Sequence, residues 1–210
     1  MSTLTALKAR IADDIARSDL TSQIANAISD SITYYKNKRF YFNETRSATF
    51  ATVDGQSSYS SSDDADIPLF NELDEVFLET STSKFRLRRR DPKEVEFLLD
   101  PTASEGQPTE YSYFARNFRL YPTPDAVYTI RPMGFIEVAA PATDDEADNV
   151  WMVNCFELLR CHAKVLLYIH VIKSTEQAAL FSEAERAALA VLRQAGGQRM
   201  GIGRIESTDF

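Results

Sequence analysis

The hydrophobic period of this chain changes twice. Apolar residues recur every three or four positions before Arg39 and after Asn149, and every second position between them. Such a pattern folds as helices at both ends bracketing about 100 residues of strand, roughly Phe40 to Ala140. The passage Lys38-Arg39-Phe40-Tyr41-Phe42 goes from helix to strand with no Gly or Pro, so it does not read as a linker between free domains. The expectation is an α+β chain with three parts. Two N-terminal and two C-terminal helices form a helical bundle core (1–39 and 141–195), an antiparallel β-sandwich or barrel module is inserted (40–140), and an extended tail follows (196–210).

Leu4, Leu7, Ile11 and Ile15 define a first amphipathic helix, which Ser18-Asp19 would stop while capping the next. Ile24, Ile28, Ile32 and Tyr35 form one face of the second helix, antiparallel to the first. Trp151, Cys155, Leu158, His162, Val165, Ile169 and Ile172 alternate by four and three, the seam of a third helix, with Asp144-Asp145-Glu146 placed to meet its dipole. Ser174 and Gln177 read as a capping box for a fourth helix, whose small-residue face is Phe181, Ala184, Ala188 and Val191 and whose end is Gly196-Gly197.

In the middle, Val76 and Leu78 oppose Glu75, Phe77 and Glu79, and Tyr111 and Tyr113 alternate likewise. The last strand carries Tyr128, Ile130, Ile136 and Val138 on one face. Pro132 and Gly134 interrupt it, which predicts a bulge or an edge. Asp91-Pro92-Lys93-Glu94 opens a short helix packed through Val95, Leu98 and Leu99. Lys84, Arg86, Arg88 and Arg90 alternate along one strand face. That face is either solvated, or an inter-subunit contact with an acidic neighbour such as the Asp63–Asp66 loop or Glu72, Asp74 and Glu75, or a phosphate contact.

A formal net charge of -8 argues against duplex DNA binding, though not against a surface past which DNA slides. The N-terminus has no signal-peptide pattern, and the greasiest run, Ala163 to Ile172, contains Lys164 and His170 and is too short to span a bilayer. Cys155 and Cys161 on one helix lie about 9 Å apart axially, so both are expected reduced and buried. His162 and His170, about 12 Å apart on the same helix, cannot share one metal. Asp63-Asp64-Ala65-Asp66 lacks the glycine and terminal Glu of a calcium loop. Neither a nucleophile motif nor a phosphate-binding loop occurs, so no catalytic residue, cofactor or metal is expected.

Three segments together carry a family signature: Tyr34 to Glu44, Pro108-Thr109-Glu110-Tyr111 through Phe118-Arg119-Leu120-Tyr121-Pro122-Thr123-Pro124-Asp125, and Asp148-Asn149-Val150-Trp151. The chain resembles head-to-tail adaptor (connector) proteins of tailed bacteriophages. The resemblance implies a non-enzymatic virion protein of the neck, assembled in the host cytoplasm. Its helical core would form a homo-oligomeric ring, usually of twelve copies, beneath the portal protein. The ring would extend the DNA channel without specific DNA binding or membrane contact, and would meet a tail, nozzle or stopper protein on its far side. It also implies a portal-docking C-terminal extension, a role that fits Arg199, Met200, Ile202, Arg204, Ile205 and Phe210. Two rival readings remain open. One is a stopper or tail-completion ring. The other is a glycan-binding or hydrolytic tail component using Tyr111, Tyr113 and Tyr121.

Overall fold

The computed structural model describes residues 2–100 and 104–199, a mixed α+β chain in two compact units. One unit comprises residues 1–43 and 138–210, the other residues 44–137.

The first unit holds α1 (Leu4–Asp14), α2 (Thr21–Tyr35), α4 (Val150–Asn154), α5 (Phe156–Leu167), a π-helical turn (Tyr168–Ile172) and α6 (Thr175–Arg199). Leu7, Ile11, Ile24, Ile28, Ile32, Tyr35, Trp151, Leu158 and Leu167 share one buried cluster. The third helix is not continuous. It breaks at Cys155 between α4 and α5, and its last turn relaxes to π geometry, which leaves Ile169 exposed. Asn149, whose Oδ1 accepts the Trp151 amide at 3.1 Å, caps α4.

The acidic run expected at that helix is divided: Glu146 accepts the side-chain amide of the cap residue Asn149 at 3.0 Å, while Asp144 and Asp145 serve α1. The Asp144 carbonyl accepts the Thr5 amide at 2.9 Å, and the Asp144 carboxylate meets Lys8 Nζ at 2.6 Å. Nor does Asp19 cap α2. Its carboxylate takes the Arg17 guanidinium at two 2.7 Å bonds, and Leu20, the residue at the cap position of α2, makes no side-chain cap. Ser174 does cap α6 through the Gln177 amide.

The face of α6 differs from the one expected. Ala184 and Val191 point to solvent, while Ala178, Leu192 and Gly196 are buried. Alanines stand on both sides of this helix, so apolar spacing alone could not orient it. The helix also runs through Gly196-Gly197 to Arg199. Tyr41, held by its hydroxyl donating to Asn154 Oδ1 at 2.7 Å, lies against Gly196, and the Arg199 guanidinium sits 4.4 Å over the Tyr41 ring.

The second unit holds β1 (Glu44–Thr45), β2 (Phe50–Ala51), β3 (Ser58–Tyr59), β4 (Phe70–Glu79), β5 (Lys84–Arg86), β6 (Arg88–Arg89), α3 (Pro92–Leu98), β7 (Glu110–Phe114), β8 (Asn117–Tyr121) and β9 (Thr129–Ile136). One sheet runs β1-β9-β4-β5, with β2 also pairing to β9; the other runs β3-β8-β7-β6. Residues of both sheets, among them Val76, Leu78, Ile130, Tyr111, Phe118 and Leu120, share one core. The irregularity expected near Pro132 and Gly134 falls on the partner strand: β4 shifts register twice along β9. Pro132 sits opposite Val76, between the β9 residues that β1 and β2 pair with. Val138 is not part of β9; it packs in the helical unit, where its carbonyl accepts the Trp151 indole N–H at 3.1 Å.

Candidate assembly surfaces

The helical unit is tied together by one buried cation. Lys164 is 5% exposed, and its ammonium donates to Asp14 at 2.8 Å and lies 4.1 Å over the Phe181 ring, joining α5 to α1 and α6. Asp14 also accepts two 2.7 Å bonds from Arg160, whose third nitrogen reaches Glu157 at 2.7 Å. The Arg160 guanidinium, foremost, and the Lys164 ammonium hold the Asp14 carboxyl below its ordinary range.

A second cluster joins α2, α5 and α6. His162 Nδ1 lies 2.9 Å from Glu185 Oε1, which also accepts the Tyr35 hydroxyl. Tyr34 stacks on His162 at 4.8 Å, and Lys38 Nζ lies 3.9 Å from the Tyr34 ring centroid. His162 therefore spans three helices. Burial, with help from Glu185, drives the Tyr35 hydroxyl above its ordinary range, so it stays a neutral donor. On the outside of α6, Leu180 and Val191 are 60% and 67% exposed.

The four alternating cations of the β unit do not share one strand. The chain leaves one sheet after Arg86 and enters the other at Arg88, while the Leu87 amide still donates to the Val76 carbonyl at 2.9 Å. Three of the four are answered in their own chain: Lys84 by Glu79 at 3.3 Å, Arg86 by Glu75 at 3.1 Å, and Arg90 by Glu110 and Glu94. Arg88 is exposed, and among the described residues neither it nor its neighbours Arg89 and Lys93 has an ion-pair partner.

Between α3 and the β7-β8 hairpin lies an open cleft of about 640 Å³ lined by Lys93, Glu96, Ser112, Phe114, Asn117 and Arg119. The hairpin turn holds Ala115 and Arg116 at φ of 49° and 64°, and Phe114 before it is 71% exposed. Phe97 of α3 is 86% exposed. Tyr111 is 2% exposed, so its ring offers no face for stacking on sugar; Tyr113, packed against the core, and Tyr121 are half-buried.

The Asp63–Asp66 loop is folded on itself. Asp63 accepts the Ser60 amide and hydroxyl at 2.8 and 2.7 Å, and Asp64 accepts the Asp66 amide at 2.9 Å. Among the described residues no three His, Cys, Asp or Glu side chains are grouped as a metal site, and no helix is long and apolar enough to cross a membrane. Of the tail residues singled out in the sequence, Arg199 is the last residue of α6. Met200, Ile202, Arg204, Ile205 and Phe210 lie outside the described residues. Lys164, Arg89 and Lys93 were not singled out. Lys164 had a signal, a lone charge inside the greasiest segment of the chain.

No curated protein matches the chain. The SU10 adaptor protein family does, over residues 2–207. The chain belongs to the SU10 adaptor protein family and is a structural adaptor of the bacteriophage virion.

Proposed function

We propose that this chain forms a ring beneath the portal protein, extends the DNA channel and links the portal to the tail. The family match along 2–207 carries the proposal, and membership in a family of structural adaptors speaks against enzymatic activity. The physical design agrees with it. Two side-chain networks, one around Asp14 and one around Glu185 with its ring stack, tie the helices to one another, and both units present exposed apolar side chains. A net charge of -8 suits a lumen through which DNA passes without sticking.

The C-terminal residues after Arg199 are the proposed portal contact, with Met200, Ile202 and Ile205 as its apolar anchors. Imaging the neck of purified particles tests the ring directly: density for this chain against the portal is expected, and its placement elsewhere overturns the reading. Portal binding by a chain ending at Arg199 tests the tail without damaging α6. Full affinity there would remove the tail from the contact.

A further inference from the structure

We infer that the two opposite edges of the four-stranded sheet are the two halves of one contact between copies of this chain, which makes specific the ring proposed above and rests on it. The sheet order β3-β8-β7-β6 puts β3 at one edge and β6 at the other. Directly after β3 comes the acidic loop with Asp63, Asp64 and Asp66. At the far edge, β6 is Arg88–Arg89, and Lys93 follows on the first turn of α3.

Among the described residues neither group, the three carboxylates or Arg88, Arg89 and Lys93, has an ion-pair partner in its own chain. Among the same residues, Asp63 and Asp64 accept hydrogen bonds only from their own loop, and Asp66 donates its amide to Asp64. The neighbouring cations Lys84, Arg86, Arg90, Arg116 and Arg119 are each paired, with Glu79, Glu75, Glu110, Glu137 and Glu96. Three carboxylates without an ion pair thus follow one edge strand of this sheet, and three cations without one lie at or just after the other. The positive edge also carries Phe97, 86% exposed, an apolar anchor beside the cations.

Charge complementarity selects the occupant. A second copy, offering its β3 edge to the first copy's β6 edge, brings three carboxylates to three cations and leaves its own β6 edge free for a third. Such a contact is heterologous, and its repetition generates a ring where the rotation between copies closes. Two-residue strands at both edges leave little ladder to extend, so the contact is one of side chains.

Carbodiimide, which joins carboxylates to amines at zero length, tests this in intact particles. The expected product is a peptide linking Lys93 to Asp63, Asp64 or Asp66, present in a ladder of copies. A longer amine-to-amine reagent serves as the companion. If it yields the ladder while no Lys93–Asp link forms, the edge contact is wrong and the ring stands. If neither reagent links two copies, the ring itself fails.

Charge reversal gives the second arm. Arg88→Glu with Arg89→Glu, and separately Asp63→Lys with Asp64→Lys, should each cut incorporation into particles at least tenfold. All four changes in one chain should restore it. Wild-type incorporation of either reversed pair, or no recovery in the combined chain, overturns the inference. Asp63 and Asp64 also accept hydrogen bonds within their loop, so Asp63→Asn with Asp64→Asn, which keeps an accepting oxygen at each site, is the control: its melting temperature should stay near wild type while its incorporation falls, and undiminished incorporation likewise overturns the inference.

Discussion

Asn43 accepts the Phe40 amide through Oδ1 at 2.8 Å and donates from Nδ2 to the Lys38 carbonyl at 2.9 Å, closing a turn that the sequence makes with no Gly or Pro. The side chain is completely buried, and its amide supplies the backbone partners that the end of α2 no longer provides. The absence of punctuation at the helix-to-strand passage, the oddest local feature of the sequence, thus has a physical answer in one asparagine.

Replacing it with alanine leaves the Phe40 N–H and the Lys38 carbonyl unpaired in a buried place. Asn43→Ala is expected to cost about 2 kcal/mol. Guanidinium unfolding followed by far-UV circular dichroism would read this as a lower midpoint at unchanged slope. An unchanged midpoint would mean that water satisfies both groups and the turn does not depend on the side chain.

Gly134 and Gly197 should respond in opposite directions. A Cβ on Gly134 would lie 2.1 Å from the Glu72 carbonyl oxygen and 3.0 Å from Leu73 Cα, both backbone atoms of the bulged β4. Gly134→Ala is therefore expected to destabilise the β unit by about 3 kcal/mol or to prevent its folding. A Cβ on Gly197, within α6, meets nothing within 4 Å, so Gly197→Ala removes backbone entropy from the unfolded chain and should stabilise by about 0.5 kcal/mol. Scanning calorimetry on the two variants checks the pair. A Gly134→Ala protein melting like wild type would show that β4 and β9 do not approach as closely as described.

The two glycines also mark how far the sequence could be read. Period alone identified α1, α2 and the Val76–Leu78 strand, because those elements have one apolar side and one polar side. It misplaced the face of α6, since Ala184 and Ala188 look alike to any apolar pattern while only the second packs inward. The split at Leu87 was hidden for a related reason: alternation continues unbroken from Lys84 to Arg88 although the strand changes sheets. The break at Cys155 and the burial of Lys164 are decisions of tertiary packing, which local pattern does not encode.

The Asp14–Lys164 pair predicts an acid-sensitive helical unit. Asp14→Asn should leave the Lys164 ammonium buried without its counter-charge and cost about 3 kcal/mol. The wild-type protein supplies the pH dependence. The folded carboxyl titrates below its ordinary value of 3.8. Its contribution to stability is accordingly complete above about 4 and is lost as pH falls through the folded value. Melting temperature measured from pH 6 to pH 2 should therefore fall less steeply in Asp14→Asn than in wild type. Parallel curves would show that the pair does not govern acid unfolding.

Cys155 and Cys161 should behave as buried, unreactive thiols. Burial pushes the Cys155 thiol up to about 12 and raises Cys161 as well, so almost no thiolate exists in the native state at neutral pH. With a disulfide reagent at pH 8, the native chain should label slowly and the guanidinium-unfolded chain quickly at both sites. The sign for stability follows. A thiol raised above its unfolded value of 9.0 contributes stability in full below that pH and loses it as pH rises through the folded value. Alkaline destabilisation should thus begin above pH 9, and Cys155→Ala should blunt it at the cost of a small cavity beside Trp151 and Leu158. Rapid labelling of the native chain would show instead that the break between α4 and α5 opens readily, exposing the thiol that sits there.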